Sequence, residues 1–142
     1  MRVVLREVRT GRKCRIYALG TRDTCALFDF LDGLRQDDVD ALARTDALLD
    51  RTADHGPPVY DDTKCRFFRD LRAFELKTRD GVRIMAFWDE QRLIVCSHGF
   101  LKKSRRTPPA DLERLRRAKI EYLAAKQDGR LEFVDPAGEC AQ

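Results

Sequence analysis

The sequence has no long apolar run and no CxxC pair, and it has only two histidines. No apolar stretch approaches the roughly 18 residues that a membrane span needs, and the charged opening MRVVLREVR is not typical of a signal peptide. Five cysteines leave an odd number, which favours reduced thiols in a cytoplasmic protein over a disulfide framework. Without paired cysteines a zinc site is not expected. We therefore expect a cytoplasmic protein with no metal, no cofactor and no contact with a membrane.

At 142 residues the chain is long enough for one domain, residues 1–142, but not for two. No internal repeat or low-complexity segment interrupts it. The charge is segregated, because residues 1–22 are strongly basic, residues 23–62 are rich in aspartate and residues 99–119 are again basic. A positive surface suits a nucleic acid, whereas solvated helix faces give the same composition. Both interpretations remain open on charge alone.

Local patterns predict the order of the elements. Two short strands around a Gly-containing turn give an N-terminal hairpin, 1–20, and amphipathic spacing gives a helical pair, 23–55. Three strand-like runs, one pair joined by an Asp-Gly turn, give a β-meander, 72–100. A C-terminal helix follows, 108–127, with Thr107 as N-cap and Pro108 at its first position. The predicted fold class is α+β, with a small antiparallel sheet packed against the N-terminal helical pair and the C-terminal helix.

The motifs in residues 59–126 resemble the RelE/ParE toxin superfamily. The matching strings are FELK (74–77), GVR (81–83), HGFLKK (98–103) and TP (107–108), and their order is that of the HigB-like, phage-derived branch. RelE-type strands carry a further lysine where this chain has Glu75. The resemblance implies the toxin of a type II toxin–antitoxin module, a ribosome-dependent mRNA endoribonuclease. It also implies a helix-turn-helix (HigA-like) antitoxin and mRNA on the ribosome as partners. Relatives of ParE share the fold without this activity, so a non-catalytic toxin or phage interaction module that inhibits a protein target is the alternative.

Metal-free cleavage of RNA requires a base for the 2′-OH, positive charge on the pentavalent phosphate and an acid for the 5′-oxygen. Arg83 is the first candidate, because its guanidinium lies in an apolar strand, on the face of Met85 and Phe87. The alternative is an ion pair with Glu75 or Asp89 at a sheet edge.

Four further residues complete the catalytic candidates. Lys102 and Lys103 follow the last meander strand and suit a phosphate clamp or base, or are solvated lysines. Lys77 lies across the hairpin from Arg83, or pairs with Asp89. His98 suits a general acid, although a buried, hydrogen-bonded core histidine is the more common case.

Other basic residues are candidates for binding RNA along its backbone, although several of them must face solvent in any fold. These are Lys64, Arg105, Arg106, Arg116 and Arg117.

Overall fold

The computed structural model describes residues 2–90, 92–102 and 106–134. Seven strands and three helices occur in these ranges. In chain order they are β1 (Val3–Thr10), β2 (Arg15–Gly20), α1 (Ala26–Asp37), α2 (Val39–His55), β3 (Cys65–Phe68), β4 (Ala73–Lys77), β5 (Val82–Asp89), β6 (Leu93–Leu101), α3 (Pro109–Gln127) and β7 (Leu131–Val134). Among the described residues, no helix is long and apolar enough to cross a membrane.

All seven strands form a single mixed sheet in the order β3-β4-β5-β6-β2-β1-β7. Neighbours are antiparallel except at two places, where β2 runs parallel to β6 and β1 runs parallel to β7. The predicted small antiparallel sheet with an N-terminal helical pair is therefore wrong. The first two strands join the meander edge to edge, and the two helices follow these strands in the chain.

The edge strand β3 also lies outside the predicted meander. Its residues CRFF pair antiparallel with β4, so that Arg66 lies opposite Glu75. Only four residues pair, and two of their side chains are exposed. Such a short strand carries a weak alternation signal. This strand makes β4 an internal strand, so that its side chains are buried.

Each face of the sheet carries its own hydrophobic cluster. Buried side chains of α1 and α2 pack with one cluster, which includes Ile84 and Ile94. Leu115, Ala118 and Tyr122 of α3 pack with the other cluster, which includes Phe87. Because side chains alternate along a strand, β5 and β6 contribute to both clusters.

Two glycines meet specific demands of this packing. A Cβ at Gly99 would lie 2.5 Å from Cδ2 of Phe30, so glycine lets α1 approach β6 closely. Gly81 has φ +92° in the turn between β4 and β5, a conformation that favours glycine. This tight turn sets the β4–β5 register, which places the charged residues described next.

Candidate functional site

The candidate site lies on the sheet face beneath α3, toward the ends of β4 and β6. Lys77 faces Arg83 across the β4–β5 pair, and Arg83 faces Phe100 across the β5–β6 pair. Met85 and Phe87 belong to the cluster that packs with α3, so alternation places Arg83 on that face. The predicted strand face of Arg83 is confirmed. Because β5 lies between β4 and β6, Arg83 is not on an edge strand.

Arg83 is anchored by a carboxylate with no solvent exposure. Its Nε lies 2.9 Å from Oε1 of Glu75, and the two side chains are 15% and 0% exposed. Neither atom has an aligned hydrogen bond, so this contact is an ion pair. Arg83 Nη1 donates to the backbone carbonyls of Thr78 at 3.1 Å and Val82 at 2.9 Å. The guanidinium is thus held from two sides, in a side chain that is 15% exposed.

The second oxygen of the Glu75 carboxylate ties the sheet to the start of α3. The hydroxyl of Thr107, itself buried, donates to Oε2 at 2.6 Å. The prediction that Thr107 caps α3 is wrong, because Pro108 holds the N-cap position without a side-chain cap. Pro109 begins the helix, where its missing N–H is not needed. A buried carboxylate needs hydrogen-bond donors more than an exposed helix start does, which explains where the hydroxyl points.

Asp89, the other acidic partner considered for Arg83 and Lys77, is engaged elsewhere. It lies 2.9 Å from Nζ of Lys126 and accepts a hydrogen bond from the hydroxyl of Tyr122. The alternative in which either cation pairs with Asp89 is therefore wrong.

Lys102 lies just after β6 and is half-buried. Burial lowers its pKa, and the positive charges of Arg83, Lys77 and Arg66 lower it further, whereas Glu75 raises it. The net shift is downward, which increases the neutral fraction of the amine. Lysine in such surroundings is better suited to accept a proton than an isolated surface lysine is.

A β-bulge in β6 brings His98 onto the same face. Met85 pairs with His98 and Ala86 pairs with Cys96, so Ser97 is the extra residue of the bulge. Strict alternation would send His98 to the face of Cys96, which packs with α1 and α2. The inserted residue turns the histidine toward α3 instead.

His98 is a buried residue with hydrogen bonds at both ring nitrogens. Nε2 lies 2.9 Å from Oδ1 of Asp111, and Nδ1 lies 2.8 Å from Oγ of Ser97. A carboxylate can only accept, so Nε2 carries the proton and Nδ1 accepts from the serine hydroxyl. Burial lowers the pKa of His98, the hydrogen bond to Asp111 raises it, and Arg114 lowers it. The sequence left open whether His98 is a general acid or a buried core histidine. Its exposure of 1% matches the core histidine.

The remaining predicted residues are dispersed. Arg116 and Arg117 are exposed on α3 and both pair with Glu113, at 2.6 Å and 3.4 Å. Arg106 is exposed before α3, and Lys64 lines a separate cavity beside α2. Lys103 and Arg105 lie outside the described residues.

The fold and the site define a class of protein with one mixed sheet and a cluster of basic residues. A buried carboxylate anchors this cluster close to the end of β6 and the start of α3. The family described as phage derived protein Gp49-like (DUF891) matches residues 29–119, more than half of the chain. The chain belongs to this family, a toxin-like family related to RelE that is known from toxin–antitoxin systems. No curated protein matches the chain.

The family match confirms the coarser part of the resemblance, a phage-derived, toxin-like protein with an antitoxin as the partner of its family. The matched segment begins within α1 and ends within α3, so it includes Glu75, Arg83, His98 and Thr107. Assignment to a HigB-like branch stays a prediction.

Proposed function

We propose that the protein is the toxin of a type II toxin–antitoxin module and cleaves mRNA on the ribosome. The observation that supports this activity is the guanidinium of Arg83, held by wholly buried Glu75 beside Lys77 and Lys102. Such a cluster offers positive charge to a phosphate without having to reorganise first. The proposed partners are a helix-turn-helix (HigA-like) antitoxin and ribosome-bound mRNA in the cytoplasm.

Arg83 is proposed to stabilise the phosphate in the transition state. Its Nε faces Glu75 and its Nη1 faces backbone carbonyls, so the rest of the guanidinium is the part left for substrate. A planar guanidinium can present two parallel N–H groups to phosphate oxygens. The fixed orientation lowers the entropy lost when substrate binds.

Lys102 is proposed to act as the base that takes the proton of the RNA 2′-OH. Its lowered pKa increases the fraction of free amine at neutral pH. The 2′-oxygen then bonds to the adjacent phosphorus, and the bond from phosphorus to the 5′-oxygen breaks. The products are a 2′,3′-cyclic phosphate and a 5′-hydroxyl, and no metal takes part in these steps.

The 5′-oxygen requires a proton as it leaves. Lys77, directly opposite Arg83, is the described cation proposed to supply it. His98 is not assigned this step, because it is buried and its Nε2 proton is committed to Asp111. Lys103 is predicted to clamp the phosphate.

Mapping of RNA ends after induction tests the proposal. Native protein is expected to produce new 5′ ends within translated codons, and Arg83→Ala is expected to lower their yield about 100-fold to 1,000-fold. Arg83→Lys keeps a charge beside Glu75 but loses the planar fork, which controls for the unpaired carboxylate. Arg35→Ala, at an exposed ion pair on α1, is the matched control. Growth arrest with intact mRNA, or equal cleavage by Arg83→Ala shown to be folded by circular dichroism, would contradict the proposal.

The second candidate is a non-catalytic toxin or phage interaction module that inhibits a protein target. The ion pair of Arg83 with Glu75 favours this candidate, because an arginine with a purely structural role would be expected to make the same contact. In that case Arg83→Lys is expected to preserve toxicity, and RNA ends remain unchanged.

A further inference from the structure

A second cationic site lies beside the first, where α2 meets the end of β4. Among the described residues, its cavity of about 280 Å³ is lined by basic residues from three segments and by no acidic residue. The basic residues are Arg44 and Arg51 of α2, Lys64 before β3, and Lys77 and Arg79 at the β4–β5 turn.

Part of this charge is balanced by nearby aspartates, and an excess of positive charge remains. Arg44 makes a bidentate contact with Asp80, at 2.6 Å and 2.7 Å. Within the described ranges, no carboxylate lies within ion-pair distance of the other four cations. The nearby carboxylate of Asp61 accepts hydrogen bonds at Oδ1 from the backbone N–H and hydroxyl of Thr63, at 3.0 Å and 2.6 Å. It also interacts electrostatically with Lys64 and Arg51. Asp80 likewise interacts electrostatically with Arg79 as well as with Arg44. Two nearby aspartates do not balance the five basic residues of the cavity, and this excess of positive charge favours a bound anion.

The cavity and the Arg83 site share residues at the end of β4. Lys77 lines the cavity and also faces Arg83 across the β4–β5 pair. Thr78, another lining residue, accepts from Arg83 Nη1 through its carbonyl oxygen. The N–H of Lys77 donates to the carbonyl of Lys64 at 2.8 Å, which fixes these two lysines side by side. Lys77 and Thr78 therefore link the two sites across the end of β4.

We infer that this cavity is a second phosphate subsite, which binds a phosphodiester flanking the scissile one in a single-stranded RNA. The inference rests on the proposed function, because it places the scissile phosphate at Arg83. It adds Arg51 and Arg79 to the RNA-contacting residues. Successive phosphates held at two fixed sites would align the intervening ribose, as in-line attack requires.

Binding of RNA by the full-length chain tests the subsite. The probe is a fluorescein-labelled single-stranded RNA methylated at every 2′-oxygen, so that it cannot be cleaved, measured free and on programmed ribosomes. Arg51→Gln with Lys64→Gln is compared with Arg22→Gln with Arg35→Gln. Both pairs remove two positive charges, and the control arginines are exposed around α1. Circular dichroism and thermal melting verify that each variant folds.

The cavity variant is expected to bind RNA about tenfold more weakly than the control, since charge-assisted hydrogen bonds are lost. For the cavity variant, the slope of log affinity against log salt concentration is expected to become smaller in magnitude by about 0.7, the value for one lost phosphate contact. Equal weakening in both double variants would overturn the subsite and indicate a general effect of charge. Binding of inorganic phosphate that needs Arg51 and Lys64, with RNA affinity unchanged, would identify a free-phosphate site instead.

Two further outcomes separate this inference from the proposed activity. Absence of RNA binding by the native chain, both free and on ribosomes, overturns the subsite. If the native chain cleaves no unmodified RNA yet the cavity variant still binds more weakly than the control, the subsite holds and the endonuclease proposal fails. If the native chain cleaves RNA and the cavity variant binds as tightly as the control, the endonuclease proposal stands and the subsite fails.

Discussion

Arg83 and Arg116 each pair with a glutamate, but in different surroundings. The Arg83 and Glu75 side chains are 15% and 0% exposed, whereas those of Arg116 and Glu113 are 50% and 43% exposed. Water and salt screen the second pair, so its contribution to stability is small. The first pair has lost most of its hydration, so removing either partner leaves a buried charge uncompensated. Two ion pairs of similar length therefore have different roles.

The buried pair connects more elements than the exposed one. Glu75 joins β4 to β5 through Arg83 and joins the sheet to the start of α3 through Thr107. Arg116 and Glu113 are three residues apart on one helix, and in the described part of the chain their ion pairs stay within that helix. Of these two arginines, Arg83 is thus the one that burial and a partner on another strand hold in place.

The largest expected effect is the loss of the buried carboxylate charge. Glu75→Gln leaves Arg83 charged in its half-buried position, and we expect the free energy of unfolding to fall by about 3–5 kcal/mol. Urea denaturation followed by circular dichroism measures this. Glu113→Gln is the matched control and should lower it by less than about 1 kcal/mol. Equal effects of the two substitutions would show that burial does not separate these pairs.

The local parts of the fold were accessible from the sequence because their signals lie within a few residues. The Asp80-Gly81 dipeptide predicts the turn between β4 and β5, and alternation places Arg83 on the face of Met85. Apolar spacing likewise predicts helices in the regions of α1 and α2.

The parallel pairings β2–β6 and β1–β7 were not accessible, because each joins segments that are distant in the chain. No short-range pattern specifies which strands lie beside each other. The strand order depends on how much apolar surface the complete sheet buries. The β-bulge at Ser97 could not be predicted for a related reason. A bulge breaks the alternation of side chains on which the prediction of a strand's faces depends.

The candidate site was predicted in its residue types but not in its connections. Strand proximity predicts Glu75 and Arg83 as a possible pair, whereas Thr107 lies 32 residues from Glu75 in sequence and its place before Pro108 predicts a helix cap. A threonine before proline is a strong cap signal. Only the three-dimensional packing shows that a buried carboxylate competes for the same hydroxyl.

A smaller effect is expected from pH, and it sharpens the contrast between buried and exposed groups. The pKa of His98 is lowered in the folded state, chiefly by burial, so the unfolded chain binds more protons below its own pKa of about 6.5. Stability is therefore fully present above about pH 6.5 and is lost as pH falls toward the folded pKa. Asp111 limits the loss and Arg114 increases it. Urea denaturation at pH 8 and pH 5.5 measures the slope.

His98→Gln removes the titrating group and should flatten that slope. His55→Gln, at the exposed end of α2, should retain it. Carboxylates titrate near pH 4 and contribute little over this range. A slope that persists in His98→Gln would assign the pH dependence to another group.

The smallest expected effect is at the exposed pair. Arg116→Gln removes the contacts with Glu113 at 2.9 Å and 2.6 Å, yet both groups remain hydrated afterwards. We expect the free energy of unfolding to fall by about 0.2–0.5 kcal/mol at low salt and by less at 1 M salt, where the Debye length is about 3 Å. Paired urea denaturations at the two salt concentrations measure this difference. A loss above about 1 kcal/mol that salt does not reduce would mean that Arg116 stabilises α3 through packing of its methylene groups, and not through its charge.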